Sequence, residues 1–308
     1  MKSKIVTAYW MDVNGYPFQG SSNVRKPRYL GSLIAHCKNI DLPIVCYTHT
    51  KNLEELEDIK SKYELSNLEI KILELTDVKY HNEINEVRER NFSTDLDGRG
   101  PEIMWGKFDV LGRELDGFDN VYWVDCGLQH PGIFPWRYCK KYNKIEDHKN
   151  LSSPWWSEYD SHNFGSLFNT EIFNNLNKMC VNKIALLTSL SPQISYPFLS
   201  KNMVDYNFTS PYPVGGLIGG NVNILKKYIT LYWDFAKVVL ENDFLCTEET
   251  IMKVIYDKMD TNEVIDLKFS AYASGEHDDF HFNMWDIKSN NPKPLYMVWH
   301  DIISYNEN

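Results

Sequence analysis

The mostly apolar run from Lys4 to Trp10 (KIVTAYW) predicts a strand almost at the start of the chain. Residues Asp12 to Pro27 are rich in Gly, Pro, Ser and Asn and read as a long surface loop. Arg28 to Asn39 carries helical spacing. Leu42 to Thr48 (LPIVCYT) is a short β-branched run of the kind covered on both faces. Asn52 to Tyr63 predicts a charged amphipathic helix, and Leu68 to Leu75 (LEIKILEL) a further strand. Strands alternating with helices in this way argue for a mostly parallel sheet with helices on its faces. In such sheets ligands bind beyond the carboxyl ends of the strands, which directs attention to Thr7 to Trp10 and Tyr47 to His49.

Further along, Tyr80 to Gly100 reads as helix then loop, and Glu102 to Leu115 as a helix. The buried strand VYWV then ends at Asp125-Cys126-Gly127. Residues 129 to 168 are irregular and aromatic, with Trp155, Trp156 and Tyr159 open to use as a sugar platform or a satellite core. Tyr212 to Asn221 (YPVGGLIGGN) is glycine-rich and reads either as the lining of a ligand pocket or as a tight strand-turn. Asn223 to Glu241 and Thr247 to Met259 predict helices, and short strand-like pieces follow Val264. No repeat or linker divides the chain, so one domain over 1–308 is expected.

Composition narrows the function. A formal net charge of -10 opposes a phosphate backbone and argues against DNA or RNA as partner. The six cysteines form no CxxC pair, and Cys46 and Cys126 fall in or beside apolar runs, as free thiols in a reducing compartment do. The first residues show no apolar stretch of signal-peptide type, and no window approaches the ~18 apolar residues of a membrane span. A cytoplasmic location is the expectation.

Asp125 is the residue on which the chemistry turns. A carboxylate delivered to the end of an apolar strand can hold a hard divalent cation, and such a cation offsets the charge of a departing diphosphate. Asp125 could equally cap the turn before Gly127. Lys107, on the preceding helix, is a point charge suited to phosphate. Arg88 and Arg90 precede a Gly-bearing loop. Thr247 is placed to cap a helix whose first turn holds Glu248 and Glu249, where acids favour the helix dipole. Either acid could instead enter a pocket as a proton acceptor. The glycines at Gly215, Gly216, Gly219 and Gly220 permit close backbone approach, yet form neither the dinucleotide fingerprint nor a P-loop. The run GEHDDFHFN (His277, Asp278, Asp279, His281) reads as a polar loop.

In order along the chain, IVTAYW, MWGKFDVLGREL, YWVDCGL, GGLIGGN and TEETIM resemble the GT-A class of glycosyltransferases, and more narrowly the bacterial HtrL/YibB-like family. The series covers most of the chain. The resemblance implies a single GT-A-like α/β/α sandwich over 1–308 with a mostly parallel central sheet, its nucleotide-binding half at 1–128 and its acceptor/sugar-binding half at 129–308. It implies a sugar transferred from a nucleotide-sugar donor, UDP- or GDP-linked, to a carbohydrate acceptor. Donor contacts would come from Thr7, Ala8, Tyr9, Tyr47, Arg88, Lys107, Trp123, Asp125, Gly127, Gly215, Gly216, Gly219 and Gly220. The catalytic carboxylate would be Glu249, then Glu248, with Asp279 in reserve. Mn²⁺ or Mg²⁺ would be held by Asp125 and His300. One departure stands out, because the second acid of Asp-x-Asp is Gly127 here and one metal ligand is lost. A sugar nucleotidyltransferase, or a non-catalytic binding module derived from a transferase, would share much of this pattern.

Overall fold

A computed structural model describes residues 1–11, 13, 22–90, 100–128, 169–189, 212–269, 302 and 305. Seven strands form one sheet: β1 (Ser3–Tyr9), β2 (Ile44–Thr48), β3 (Leu68–Ile72), β4 (Asn120–Val124), β5 (Ile184–Ser189), β6 (Tyr212–Asn221) and β7 (Val264–Phe269). Their order across the sheet is β3-β2-β1-β4-β6-β5-β7. β6 runs antiparallel to both its neighbours, and every other pairing is parallel.

Alternation along the strands builds two cores. Ile5 and Tyr9 of β1, Cys46 of β2, and Tyr122 and Val124 of β4 face one side. Val6, Val45, Tyr47, Val121 and Trp123 face the other. Because successive side chains of a strand point to opposite faces, these continuous apolar runs require cover on both. The first face is covered by α1 (Ser22–Asn39), α2 (Thr50–Lys62) and α5 (Thr170–Met179), through Leu33, Leu56 and Phe173 among others. The second is covered by α3 (His81–Arg90), α4 (Pro101–Arg113), α6 (Val222–Glu241) and α7 (Glu248–Tyr256). The result is an α/β/α sandwich with the mostly parallel central sheet that the resemblance implies.

Three features depart from the expected elements. The helix α1 begins at Ser22, inside the stretch read as loop. The helix α5 and the strand β5 had no forecast; α5 is secured by Asn169, whose side chain accepts from the backbone N–H of Glu171 (3.0 Å) and Ile172 (3.3 Å). The glycine-rich YPVGGLIGGN is a strand at the heart of the sheet.

Two glycines explain why that strand tolerates so few side chains. Gly219 and Gly220 hold φ of +157° and +139°. A Cβ on Gly219 would come 2.5 Å from Tyr122 Cα, and one on Gly220 would come 2.6 Å from the carbonyl of Lys183. Only glycine fits there.

The helix α4 carries the tertiary link that matters for the site. Pro101 stands in its first turn, where a missing N–H costs nothing. Trp105, Phe108 and Leu111 then recur on its core face. Trp105 is fully buried and its Nε1 donates to the carbonyl of Cys246 (3.0 Å), two residues before α7. Phe108 stacks on Tyr232 of α6 with centroids 3.6 Å apart. These contacts set the start of α7 beside the middle of α4.

Candidate functional site

Beyond the carboxyl ends of β1 and β4 lies a small cleft of about 60 Å³. Ala8, Tyr9, Trp10 and Met11 follow from β1, Trp123 and Asp125 from β4, and Ile103, Met104 and Lys107 from α4; Tyr29 of α1 and Glu248 of α7 close it. Its place is the one the strand rule anticipates.

The peptide of Gly215 is the hub. β6 runs antiparallel beside β4, so its early residues meet the end of β4, and Asp125 N–H donates to Gly216 O (2.8 Å). The carbonyl of Gly215 accepts from Trp123 Nε1 (2.9 Å) and from Lys107 Nζ (3.3 Å). Its N–H donates to Glu249 Oε1 (3.2 Å). Lys107 Nζ also donates to Glu248 Oε1 in a short ion pair. A Cβ on Gly215 would strike this pair, 2.6 Å from Glu248 Oε1.

Lys107 and Glu248 side chains are 12% and 7% exposed. Burial works against the charge on Lys107, but the carboxylates of Glu248, Asp125 and Glu249 outweigh it and raise the pKa above the ordinary lysine value. The ammonium also lies 5.8 Å from the Trp123 ring centroid.

Asp125 sits in a turn braced from below by α1. Its Oδ1 accepts from Gly127 N–H (2.9 Å), and its carbonyl accepts from Leu128 N–H (2.9 Å). His36 Nε2 lies 3.3 Å from the same carbonyl. Burial lowers the pKa of His36 to about 4, a shift the bond to Asp125 only partly offsets. A neutral ring must therefore donate through Nε2 to serve that carbonyl. Cys126 Sγ reaches Tyr29 O at 3.5 Å. The Tyr29 ring packs on Gly127 so closely that a Cβ there would stand 2.8 Å from its Cζ.

The expected site residues divide into two groups. Ala8, Tyr9, Lys107, Trp123, Asp125 and Glu248 line the cleft, and Gly215 and Glu249 bond to its rim. Tyr9 also donates from its hydroxyl to Glu55 Oε2 (3.1 Å). The others lie elsewhere. Tyr47 points from β2 into a charged cluster, where its hydroxyl donates to Glu114 Oε1 (2.5 Å) beside Lys4 and Lys71. Arg88 bonds both oxygens of Glu102 (2.9 and 2.7 Å), a carboxylate with 0% exposure. Thr7 is buried under the sheet end, and Gly216 is packed between Leu128 and Leu187. Gly219 and Gly220 serve the close approach to β4 and to Cys180 described above. Thr247 caps α7 by backbone position, but its hydroxyl faces Thr250 Oγ1 (3.1 Å) and makes no capping bond. Asp279 and His300, like Trp155, Trp156 and Asp278, lie outside the described residues. Sequence reasoning brought Trp10 forward by its place at the strand end but missed Met11, Tyr29, Ile103 and Met104 as cleft walls; an apolar residue on a helix or past a strand end carries no mark of which ligand it faces.

A divalent cation held by Asp125 and His300 was expected, and of the two only Asp125 lies among the described residues. No group of three His, Cys, Asp or Glu side chains among them converges to hold a metal ion. The position of a second acid is Gly127, under the Tyr29 ring. The cation already among the carboxylates is the Lys107 ammonium.

Two solved structures are similar to this chain in overall path. A 4-diphosphocytidyl-2C-methyl-D-erythritol synthase from Anaerococcus prevotii shares 12% identity, covering 86% of this chain and 86% of its own, with a TM-score of 0.38. Mouse xyloside xylosyltransferase 1, in its apo form, shares 7% identity over 86% of this chain and 85% of its own, with a TM-score of 0.44. No family model and no curated protein matches the chain. Among the described residues no helix is long and apolar enough to cross a membrane.

Proposed function

We propose that the protein is a glycosyltransferase that takes a sugar from a nucleotide-sugar donor, UDP- or GDP-linked, and passes it to a carbohydrate-type acceptor. The observation that carries this reading is the cleft itself: aromatic walls from Trp10, Tyr29 and Trp123 around one ammonium and paired carboxylates, at the carboxyl edge of the sheet. Sugar rings have apolar C–H faces and hydroxyl edges, and this lining answers both.

The charge balance assigns the parts. Asp125, Glu248 and Glu249 set against Lys107 leave a formal charge of minus two (three acids less one base). That suits hydroxyl groups, which donate to carboxylates, better than it suits a bare diphosphate. The sugar therefore occupies the described cleft and the nucleoside diphosphate extends outward from it. Glu248 pairs with Lys107, and Glu249, which accepts from the Gly215 N–H at the cleft rim, is assigned the proton of the acceptor hydroxyl. The acceptor oxygen bonds the anomeric carbon, the bond from that carbon to the diphosphate oxygen breaks, and its electron pair leaves with the nucleoside diphosphate.

Thermal shift tests this reading, with UDP, GDP, CDP, dTDP and CMP and with UDP- and GDP-sugars, in EDTA and in Mn²⁺. A ligand that binds only the folded state at 100 times its Kd stabilises by about 2.7 kcal/mol. A shift with one nucleotide-sugar that exceeds its nucleoside diphosphate, reduced in Asp125→Ala, is the expected result. No shift with any of them sinks the proposal. A shift without release of nucleoside diphosphate on long incubation favours instead a binding module, a reading supported by the engagement of Glu248 with Lys107.

A further inference from the structure

Two carboxylates two residues apart, at the end of a strand, make a platform for a hard divalent cation, because both can present oxygens to one side of the turn. This chain has the first at Asp125 and glycine at 127. Loss of the acid alone would leave a gap. The structure holds no gap there: the Tyr29 ring fills the space, and the Cζ, Cε1 and Cε2 atoms would lie 2.8, 3.0 and 3.0 Å from any Cβ at Gly127. Contacts that short force the ring to move, so an acid at 127 would have to displace it from the cleft wall. The backbone beneath the ring is held where the Tyr29 carbonyl receives Cys126 Sγ and where His36 reaches the Asp125 carbonyl. The same ring lines the cleft.

Part of the charge is also provided for. Lys107 reaches Glu248 and the Gly215 carbonyl from the opposite wall, and both it and Asp125 line the same cleft. The fixed ammonium offsets one of the carboxylate charges by Coulomb attraction.

We infer that Tyr29 and Gly127 act as a matched pair that bars a second acidic ligand from the Asp125 turn, so that the cleft takes its ligand without a divalent cation held at Asp125. Tyr29 presents an aromatic edge to the ligand where the acid would have presented a metal. The inference concerns the turn alone and holds whatever donor the cleft accepts, so its failure and that of the transferase reading are separate events.

The test is Mn²⁺ uptake by the protein alone, followed by the loss of the free-ion electron paramagnetic resonance signal. Wild type and Asp125→Asn are expected to titrate alike, within about twofold. Gly127→Asp is expected to melt below wild type and gain no Mn²⁺ affinity, since the ring denies the new carboxylate its place. The double variant Tyr29→Ala/Gly127→Asp should bind Mn²⁺ at least tenfold tighter than wild type, and adding Asp125→Asn should abolish the gain. Wild-type uptake that disappears in Asp125→Asn overturns the inference, and needs no variant of the glycine to be folded. So does Gly127→Asp binding as tightly as the double variant, or a folded double variant with no gain.

Discussion

The ion pair between Lys107 and Glu248 offers the sharpest energetic test of the site. Both side chains are nearly withdrawn from water, at 12% and 7% exposure, and the ammonium has a second acceptor in the Gly215 carbonyl at 3.3 Å. An exposed pair is worth at most ~1 kcal/mol, whereas removing one partner of a buried pair costs ~3–5 kcal/mol because the other charge is left uncompensated. Lys107→Met should therefore cost about 3 kcal/mol, at the lower end because a little water reaches the site and other groups remain nearby. With roughly 2 °C of Tm lost per kcal/mol in a chain of this size, the melting point should fall by about 6 °C. Glu248→Gln should cost less, since the amide oxygen still accepts from the ammonium. A double-mutant cycle over Lys107→Met, Glu248→Gln and both, read by urea unfolding, should give a coupling of ~2 kcal/mol. The pH dependence has a definite sign. Lys107 has a folded pKa above its unfolded value of 10.5, so its contribution is complete below 10.5 and is lost as pH rises through the higher folded value. The wild type should thus lose its advantage over Lys107→Met only in strongly alkaline solution. A coupling below about 0.5 kcal/mol would refute the argument, because that is the value of a solvated surface pair.

Two further outcomes follow from the same packing. His36, with a folded value near 4 against 6.5 unfolded, stays neutral while the unfolded chain takes up a proton, so stability falls as pH drops from 6.5 toward 4, by up to about 3 kcal/mol; His36→Gln should flatten that fall in urea titrations at pH 7 and 5, and an unchanged slope would remove the histidine from the account. Gly219→Ala should cost at least ~3 kcal/mol or prevent folding, since its methyl would meet Tyr122 Cα at 2.5 Å, while Gly112→Ala, on the exposed side of α4 with no atom nearer than 3.8 Å, should raise stability by ~0.5–1 kcal/mol; equal effects in thermal melts would contradict the distinction.

Much of the scaffold was legible in the letters. Continuous apolar runs such as IVTAYW and VYWV demand helices on both faces, and the alternating order demands a mostly parallel sheet. The rule that ligands sit past the strand ends directs attention to Ala8, Tyr9 and Asp125, which line the cleft, and equally to Thr7 and Tyr47, which do not. These are local properties: each follows from periodicity or from position at a strand end. The glycine-rich strand shows where local reading stops. Four glycines and a proline weaken the strand propensity of YPVGGLIGGN, and it is a strand because β4 and β5 accept it on either side.

The assembly of the site was decided by tertiary structure. Lys107 and Glu248 lie 141 positions apart, and nothing near either names the other. They meet because Trp105 bonds the Cys246 carbonyl and so draws the start of α7 against α4. Arg88 and Tyr47, equally good ligand residues on paper, are consumed by the buried carboxylate of Glu102 and by Glu114. Whether a charged side chain is free for a ligand depends on which opposite charge folding leaves beside it, and that is a long-range fact. The same holds for Gly127, which in sequence is a missing acid. Only in three dimensions is it a place kept clear for the ring of Tyr29, because two atoms cannot share one volume and the chain brings them together from 98 residues away.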